Sequence, residues 1–93
     1  MKLLSTEQIK DSLTLLGDWK IENDTLVKVF HFNDFPEALA FVVRSGIEAE
    51  KMDHHPDLLL FGWNKVKVSI FTHSLGGLTE KDFNLAQQID KIK

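Results

Sequence analysis

No cysteine occurs among the 93 residues. That absence removes disulfides, thiolate nucleophiles and cysteine-bound zinc together, and it fits a reducing compartment. Positive charge is not in excess either. Eleven Lys and Arg stand against 14 Asp and Glu, a formal net charge of −3, and the lysines are scattered, so the electrostatic footprint of a nucleic-acid binder is missing. No apolar run is long enough for a signal peptide or a membrane span; Met1-Lys2-Leu3-Leu4 gives way at once to polar residues. The expected compartment is therefore the cytoplasm. No linker, repeat or low-complexity stretch interrupts the chain, so residues 1–93 read as a single domain. A hydrophobic content of 43%, with seven Phe and two Trp, is enough for one compact core.

Near the middle of the chain stands Glu50-Lys51-Met52-Asp53-His54-His55-Pro56, which holds two of the four histidines side by side. Histidine gives and takes protons near neutral pH. Pro56 disfavours helical geometry at His55, so a helix running to about Asp53 should end here and the chain should leave extended. The histidines would then sit at a helix-to-strand junction, a rigid mount from which neighbouring side chains project in different directions.

Around this stretch the elements follow from local signals. Ser5-Thr6-Glu7-Gln8 is a capping box opening a helix, with Ile9, Leu13 and Leu16 as its inward stripe and Gly17 placed to end it. Trp19 to Glu22 and Leu26 to Phe32, separated by Asn23-Asp24, form a hairpin, with His31 a partly exposed strand residue. Asp34, Pro36 and Glu37 start the long helix. Its inward stripe is expected to be Phe35, Ala38, Leu39, Val42, Gly46 and Ala49, with another backbone close to Gly46 and with Phe41 at the core edge or an oligomer contact. Asp57 to Trp63 is an apolar run leading through a turn at Trp63-Asn64-Lys65 into a clean strand. In that strand Val66, Val68 and Ile70 face one way, and Lys67, Ser69, Phe71 and His73 the other. Gly76-Gly77 breaks the pattern, and Thr79-Glu80-Lys81-Asp82 starts a last helix buried through Phe83, Leu85, Ala86, Ile89 and Ile92. The predicted fold is α+β: a single four-stranded antiparallel sheet with three helices on one face, in the order α-β-β-α-β-β-α.

Each candidate site residue carries an alternative. Glu50 and His54, four apart, would stack on one helix face as a carboxylate–imidazole pair or as an ordinary surface pair. A zinc site from His54, His55 and His73 is disfavoured because successive side chains in an extended segment diverge. Asp82 either caps Thr79 or orients a histidine as well. Trp63 and Phe71 are either aromatic walls for a flat ligand or hairpin packing. The residues alone support a small α+β protein with a histidine acid–base site.

Taken as an ordered set, the acidic Glu50, three spacers, His54-His55-Pro56, an aromatic, Thr72-His73 and Gly76-Gly77-Leu78-Thr79-Glu80-Lys81-Asp82 closely resemble the pterin-4a-carbinolamine dehydratase family. The resemblance runs back through Gly17-Asp18-Trp19, Phe30-His31-Phe32, Asp34-Phe35 and Glu37-Ala38-Leu39-Ala40-Phe41, and so covers nearly the whole chain. Asp53 stands where an asparagine is common and Trp63 where a tyrosine is frequent, while the segment after Pro56 is one residue longer than in animal members.

The resemblance implies a dehydratase that takes 4a-hydroxytetrahydrobiopterin, or a related pterin, to the quinonoid dihydropterin and water within tetrahydrobiopterin recycling. By this carry-over His54 and His73 exchange protons at the C4a hydroxyl, and His55 holds the pterin and shares the transfer. Asp82 and Glu50 tune or orient imidazoles, and Glu50, Asp53, Trp63 and Thr72 are the residues assigned to the substrate. Acid–base dehydration needs neither metal nor other cofactor. The resemblance also implies a homodimer or homotetramer and a functional link to an aromatic amino acid hydroxylase; direct contact with nucleic acid or membrane is not expected, on the charge and hydropathy given above. Animal members double as dimerisation partners of a homeodomain transcription factor and some bacterial relatives act in assembly, so the rival reading is a non-catalytic binding or assembly protein on the same fold.

Overall fold

The computed structural model describes residues 1–93. Each helix begins where the sequence supplies an acceptor for a free N–H. α1 (Thr6–Thr14) follows Ser5, whose Oγ accepts from the Gln8 N–H at 3.1 Å while Gln8 Oε1 accepts from the Ser5 N–H at 2.8 Å. α2 (Phe35–Met52) follows Asp34, whose carboxylate accepts from the Glu37 N–H at 2.9 Å, with Pro36 in the first turn, where its missing N–H costs nothing. α3 (Glu80–Ile92) follows Thr79, whose N–H donates to the Asp82 carboxylate at 2.8 Å. Caps of this kind contribute about 1 kcal/mol each.

The strands form two hairpins with α2 between them. β1 (Lys20–Glu22) and β2 (Thr25–His31) are joined by Asn23 and Asp24, both left-handed at φ 50° and 62°. Asn and Asp accept that geometry more readily than other side chains, and its twist matches the flanking strands. β3 (Asp57–Phe61) and β4 (Lys65–Ile70) are joined through Gly62 and Trp63, also left-handed at φ 55° and 60°. All pairings are antiparallel and the sheet order is β1-β2-β4-β3, so β2 and β4 are central. The element order and the single four-stranded antiparallel sheet with three helices are as the sequence predicts.

Register decides which residues are covered. Leu26 opposite Ile70 and Phe30 opposite Val66 place one face of the sheet toward the helices, with Leu58 beside Val68 and Leu60 beside Val66 on the same side. Val66, Val68 and Ile70 are fully buried, as their alternation predicts; truncating a buried Ile such as Ile70 to Ala costs about 2–5 kcal/mol. Lys28 falls in the same phase, at the rim. Its Nζ lies 2.9 Å from Asp90 Oδ1 and 4.6 Å above the Phe30 ring, and Asp90 also accepts from the Trp19 indole N–H at 3.0 Å. Val29 and Leu59, with His31, Lys65 and Lys67, lie on the opposite, uncovered face. Lys20 and Lys67, through hydrogen bonds at that face, hold the Glu22 carboxyl below its ordinary range.

α2 departs from the expected inward stripe. Ala38, Phe41, Ser45 and Ala49 are buried, whereas Phe35 and Leu39 are 48% and 47% exposed. Both sets recur at helical spacing, and apolar residues surround so much of this helix that periodicity cannot choose between them. The aromatic cluster does. Phe41 lies with its ring centroid 4.6 Å from Phe30 and 5.0 Å from Phe32, and this fixes the rotation of the helix. Gly46 is exposed with nothing within 4 Å of where a Cβ would stand, so the expected close backbone approach does not occur. Ile9, Leu13 and Leu16 from α1 and its exit reach the core only partly buried. No helix is long and apolar enough to cross a membrane.

Candidate active site

The histidine pair is mounted by the way α2 ends. Asp53 is left-handed at φ 51°, ψ 45°, its N–H donates to Glu50 O at 3.1 Å, and the His54 N–H reaches back to Ala49 O at 3.1 Å. This is the reverse turn that closes many helices, usually on glycine or asparagine. It turns the chain sharply enough that His54 is buried while His55 projects into solvent, and Pro56 then leads into β3. The antiparallel register of β3 on β4, Asp57 opposite Ser69, brings this junction beside the exit of β4, where Phe71, Thr72 and His73 follow.

One carboxylate ties the three segments together. Asp82 is fully buried in the first turn of α3; its Oδ1 lies 2.6 Å from His54 Nε2, and its Oδ2 accepts from the Thr72 hydroxyl at 2.7 Å and the Thr79 N–H at 2.8 Å. The Thr72 and Thr79 hydroxyls are 3.0 Å apart. Because Asp82 accepts at both oxygens, His54 Nε2 carries the proton of their shared bond and Nδ1 is its remaining ring nitrogen. Asp82 therefore caps the helix and orients the imidazole in a single arrangement. Glu50, in the last turns of α2, holds His55 instead of His54: its Oε1 lies 2.8 Å from His55 Nε2, in an exposed pair. The five-residue separation works because the chain has already left the helix.

His54, His55, His73, Asp53 and Thr72 line one open cavity of about 350 Å³. Phe71 is in its wall, with its ring centroid 5.0 Å from that of His73 in an edge-on contact. Ser74, Lys81 and Met1 complete the lining. Thus His54, His55 and His73 come together although the last is 18 residues further along the chain, with Asp82 behind His54 and Glu50 beside His55. Trp63 does not join them. It sits 61% exposed in the β3–β4 turn, at the other end of those strands, roughly 17 Å of strand away. Lys81 and Ser74 escaped the sequence reading because a lysine next to a helix cap and a serine in a Gly-rich loop are ordinary surface residues. Thr79 carried one signal, its place as N-cap with an acid three residues on, which locates a helix start and not a catalytic network. No three His, Asp or Glu side chains are grouped as a metal centre requires.

Three comparisons bear on this arrangement. The profile of the family described as pterin 4 alpha carbinolamine dehydratase matches residues 2–92. A protein of Chloroflexus aurantiacus that bears the provisional name pterin-4-alpha-carbinolamine dehydratase is 44% identical over 92 residues, covering 99% of this chain and 98% of its own. One of Sulfolobus acidocaldarius, under the same provisional name, is 44% identical over 90 residues, covering 97% and 98%. Among solved structures, a transcriptional coactivator/pterin dehydratase from Brucella melitensis superposes with a TM-score of 0.92 at 31% identity, covering 98% of both chains. A pterin dehydratase-like protein identified as a RuBisCO assembly factor shares the fold at a TM-score of 0.64 and 22% identity, over 80% of this chain and 84% of that one. Matched almost from end to end, this chain belongs to the pterin-4-alpha-carbinolamine dehydratase family.

Proposed function

We propose that this protein is a 4a-hydroxytetrahydrobiopterin dehydratase that works by histidine acid–base catalysis without a cofactor. The observation that carries the reading is the convergence of His54, His55 and His73 on one cavity with Asp82 buried behind the first. In the reaction N5 of the pterin loses its proton, its electron pair forms the N5–C4a double bond, and the C4a–O bond breaks. A proton delivered to the departing oxygen completes the water. One group must take a proton and another must give one, and neutral and protonated imidazoles do both near pH 7.

The exposure of the rings favours a division of labour different from the one the sequence suggests. His55, with a side chain 60% exposed, and the exposed His73 are both open to solvent, which suits general base and general acid. His54, nine-tenths buried and with Nε2 bound to Asp82, suits the fixed contact that holds the C4a hydroxyl through Nδ1. Glu50 keeps the His55 ring in place, and Phe71 gives the flat pterin an apolar edge. The protein would act in the cytoplasm in tetrahydrobiopterin recycling, alongside a hydroxylase that produces the carbinolamine.

A second reading has its own support. Phe35, Leu39, Val43 and Ile47 recur every four residues along α2 and are 48%, 47%, 56% and 53% exposed. Such a stripe suits association, and we assign it to a second copy of the chain in a homodimer or homotetramer. On a non-catalytic protein the same stripe would hold a different partner. The deciding experiment is stopped-flow ultraviolet decay of enzymatically generated 4a-hydroxytetrahydrobiopterin, for which the uncatalysed dehydration supplies the baseline. Acceleration at catalytic protein concentration is the expected result; decay at the uncatalysed rate in the presence of folded protein would leave the binding or assembly reading.

A further inference from the structure

The three histidines are not held alike. His54 has Asp82 and His55 has Glu50 at hydrogen-bond distance, whereas no side chain hydrogen-bonds the His73 ring, which meets Phe71 edge-on. The place of His73 is therefore set by its backbone, in a loop that Thr72 and Gly77 close as an antiparallel bridge, with the Thr72 N–H donating to Gly77 O at 3.0 Å. Between these ends, His73 to Gly76 are exposed. At one end Thr72 is buried and its hydroxyl donates to Asp82 at 2.7 Å. The other end leans on the N-terminal segment. The Leu4 N–H donates to Leu78 O at 2.8 Å and Leu4 packs on the core, which anchors the segment. Leu3 then occupies the space a Cβ at Gly77 would need, with its Cδ2 only 2.8 Å from that position. Two clefts run along the same segment. One, of about 460 Å³, shares Met1 and Lys81 with the histidine cavity, and the other, of about 300 Å³, is bordered by Leu3, Leu4 and Gly77.

We infer that Leu3 is a positioning residue for His73: seated on Gly77, it braces the loop against the anchored N-terminal segment and keeps His73 in the cavity with His54 and His55. For its effect on turnover the inference rests on the dehydratase reading; for the bracing of the loop it does not. The glycine at 77 follows from the same contact. Gly76 is left-handed at φ 68° and serves the turn itself, but Gly77 is not left-handed, so its backbone would accept alanine and what excludes a side chain there is Leu3. The sensitivity is that of any proton-transfer group held at a distance, since a misplacement of about 1 Å can cost about 10²-fold in rate.

The test measures amide hydrogen exchange and steady-state dehydration in Leu3→Ala, Leu3→Met, Gly77→Ala and the double variant Leu3→Ala/Gly77→Ala. Leu3 is 52% exposed and the smaller cleft leaves it room to move, so folding is not at risk. In Leu3→Ala the Thr72 and Gly77 amides should exchange about tenfold faster, while the Val68 amide of central strand β4 keeps its natural rate. In the same variant kcat should fall by about tenfold with KM within about twofold of the natural value. Leu3→Met, close to leucine in volume, should keep the natural values of both. Gly77→Ala should resemble Leu3→Ala, because its methyl displaces the leucine. In the double variant it should add nothing, since the atom it meets is gone. Unchanged loop exchange in Leu3→Ala, or additive losses in the double variant, would overturn the bracing. Faster exchange with unchanged kcat would overturn the positioning of His73. Faster exchange in Leu3→Ala, with no dehydration by the natural protein, would remove the dehydratase reading and leave the bracing standing; turnover with unchanged exchange would do the reverse.

Discussion

His54 and Asp82, 28 residues apart, meet at 2.6 Å between Nε2 and Oδ1, and neither is appreciably exposed. The contact joins the end of α2 to the start of α3, and the same carboxylate accepts from Thr72 just beyond β4. Stability and the proposed chemistry therefore share one side chain. An uncompensated donor in this position would cost more than the hydrogen bond returns, which is why all of its neighbours are paired.

Asp82→Asn should damage both properties. The amide oxygen can still accept from Thr72 and the Thr79 N–H, but its NH2 then faces His54 Nε2, so either two donors meet or the imidazole must change tautomer, at a cost of about 1–3 kcal/mol. With His54 no longer held in one orientation, turnover should fall as well. Urea unfolding alongside stopped-flow dehydration checks this; an unchanged unfolding midpoint would show that the network is not shared in this way.

His55→Ala and His73→Ala should separate activity from folding. Both side chains are exposed, so unfolding free energy should stay within about 0.5 kcal/mol, while loss of a proton-transfer group should lower kcat by about 10²-fold or more. His54→Ala should lower both quantities, because its loss empties a buried position and strips Asp82 of a donor. Full turnover in His55→Ala and in His73→Ala would refute the site.

Asp53 should be replaceable only by residues that accept its backbone geometry. Asp53→Asn keeps the left-handed turn, whereas Asp53→Val should cost about 1–2 kcal/mol and turn both histidines away from the cavity. Unfolding and turnover of the two variants, measured together, give the comparison; a fully stable and active Asp53→Val would contradict it.

Ser45→Ala should stabilise the protein. The Ser45 hydroxyl is buried in the inward face of α2 with no hydrogen-bond partner, and alanine removes that burden while favouring the helix, for a gain of about 1 kcal/mol. A lower unfolding midpoint would mean that the hydroxyl has a partner, such as a buried water.

Ile47→Glu tests the exposed stripe of α2. A charge there should reduce the assembly size seen by sedimentation equilibrium while changing the stability of the isolated chain by no more than about 0.5 kcal/mol. Identical sedimentation of the natural and substituted chains would move any self-association to another surface.

Much of this was legible in the sequence because the signals are local. The capping residues Ser5, Asp34 and Asp82, the turn at Asn23-Asp24 and the alternation of Val66, Val68 and Ile70 each act within a few residues of themselves. The rotation of α2 was not legible. Phe35, Leu39, Phe41 and Val42 are equivalent to a periodicity argument, and only the positions of Phe30 and Phe32 on another element break the tie. Similarly, Glu50 is four residues from His54 and would pair with it on a continuing helix. The left-handed turn at Asp53 gives it His55 instead.

The sequence by itself determined the elements, their order, the phase of the sheet and the family, since these depend on neighbours in the chain and on an ordered set of residues. Tertiary structure alone decided which histidine is buried, which carboxylate each one meets, that Trp63 lies away from them, and that Lys81 faces two cavities at once. The physical reason is that hydrogen bonds and burial act over a few ångströms of space, and residues 28 positions apart acquire that proximity only when the sheet register and the helix packing have closed the chain upon itself.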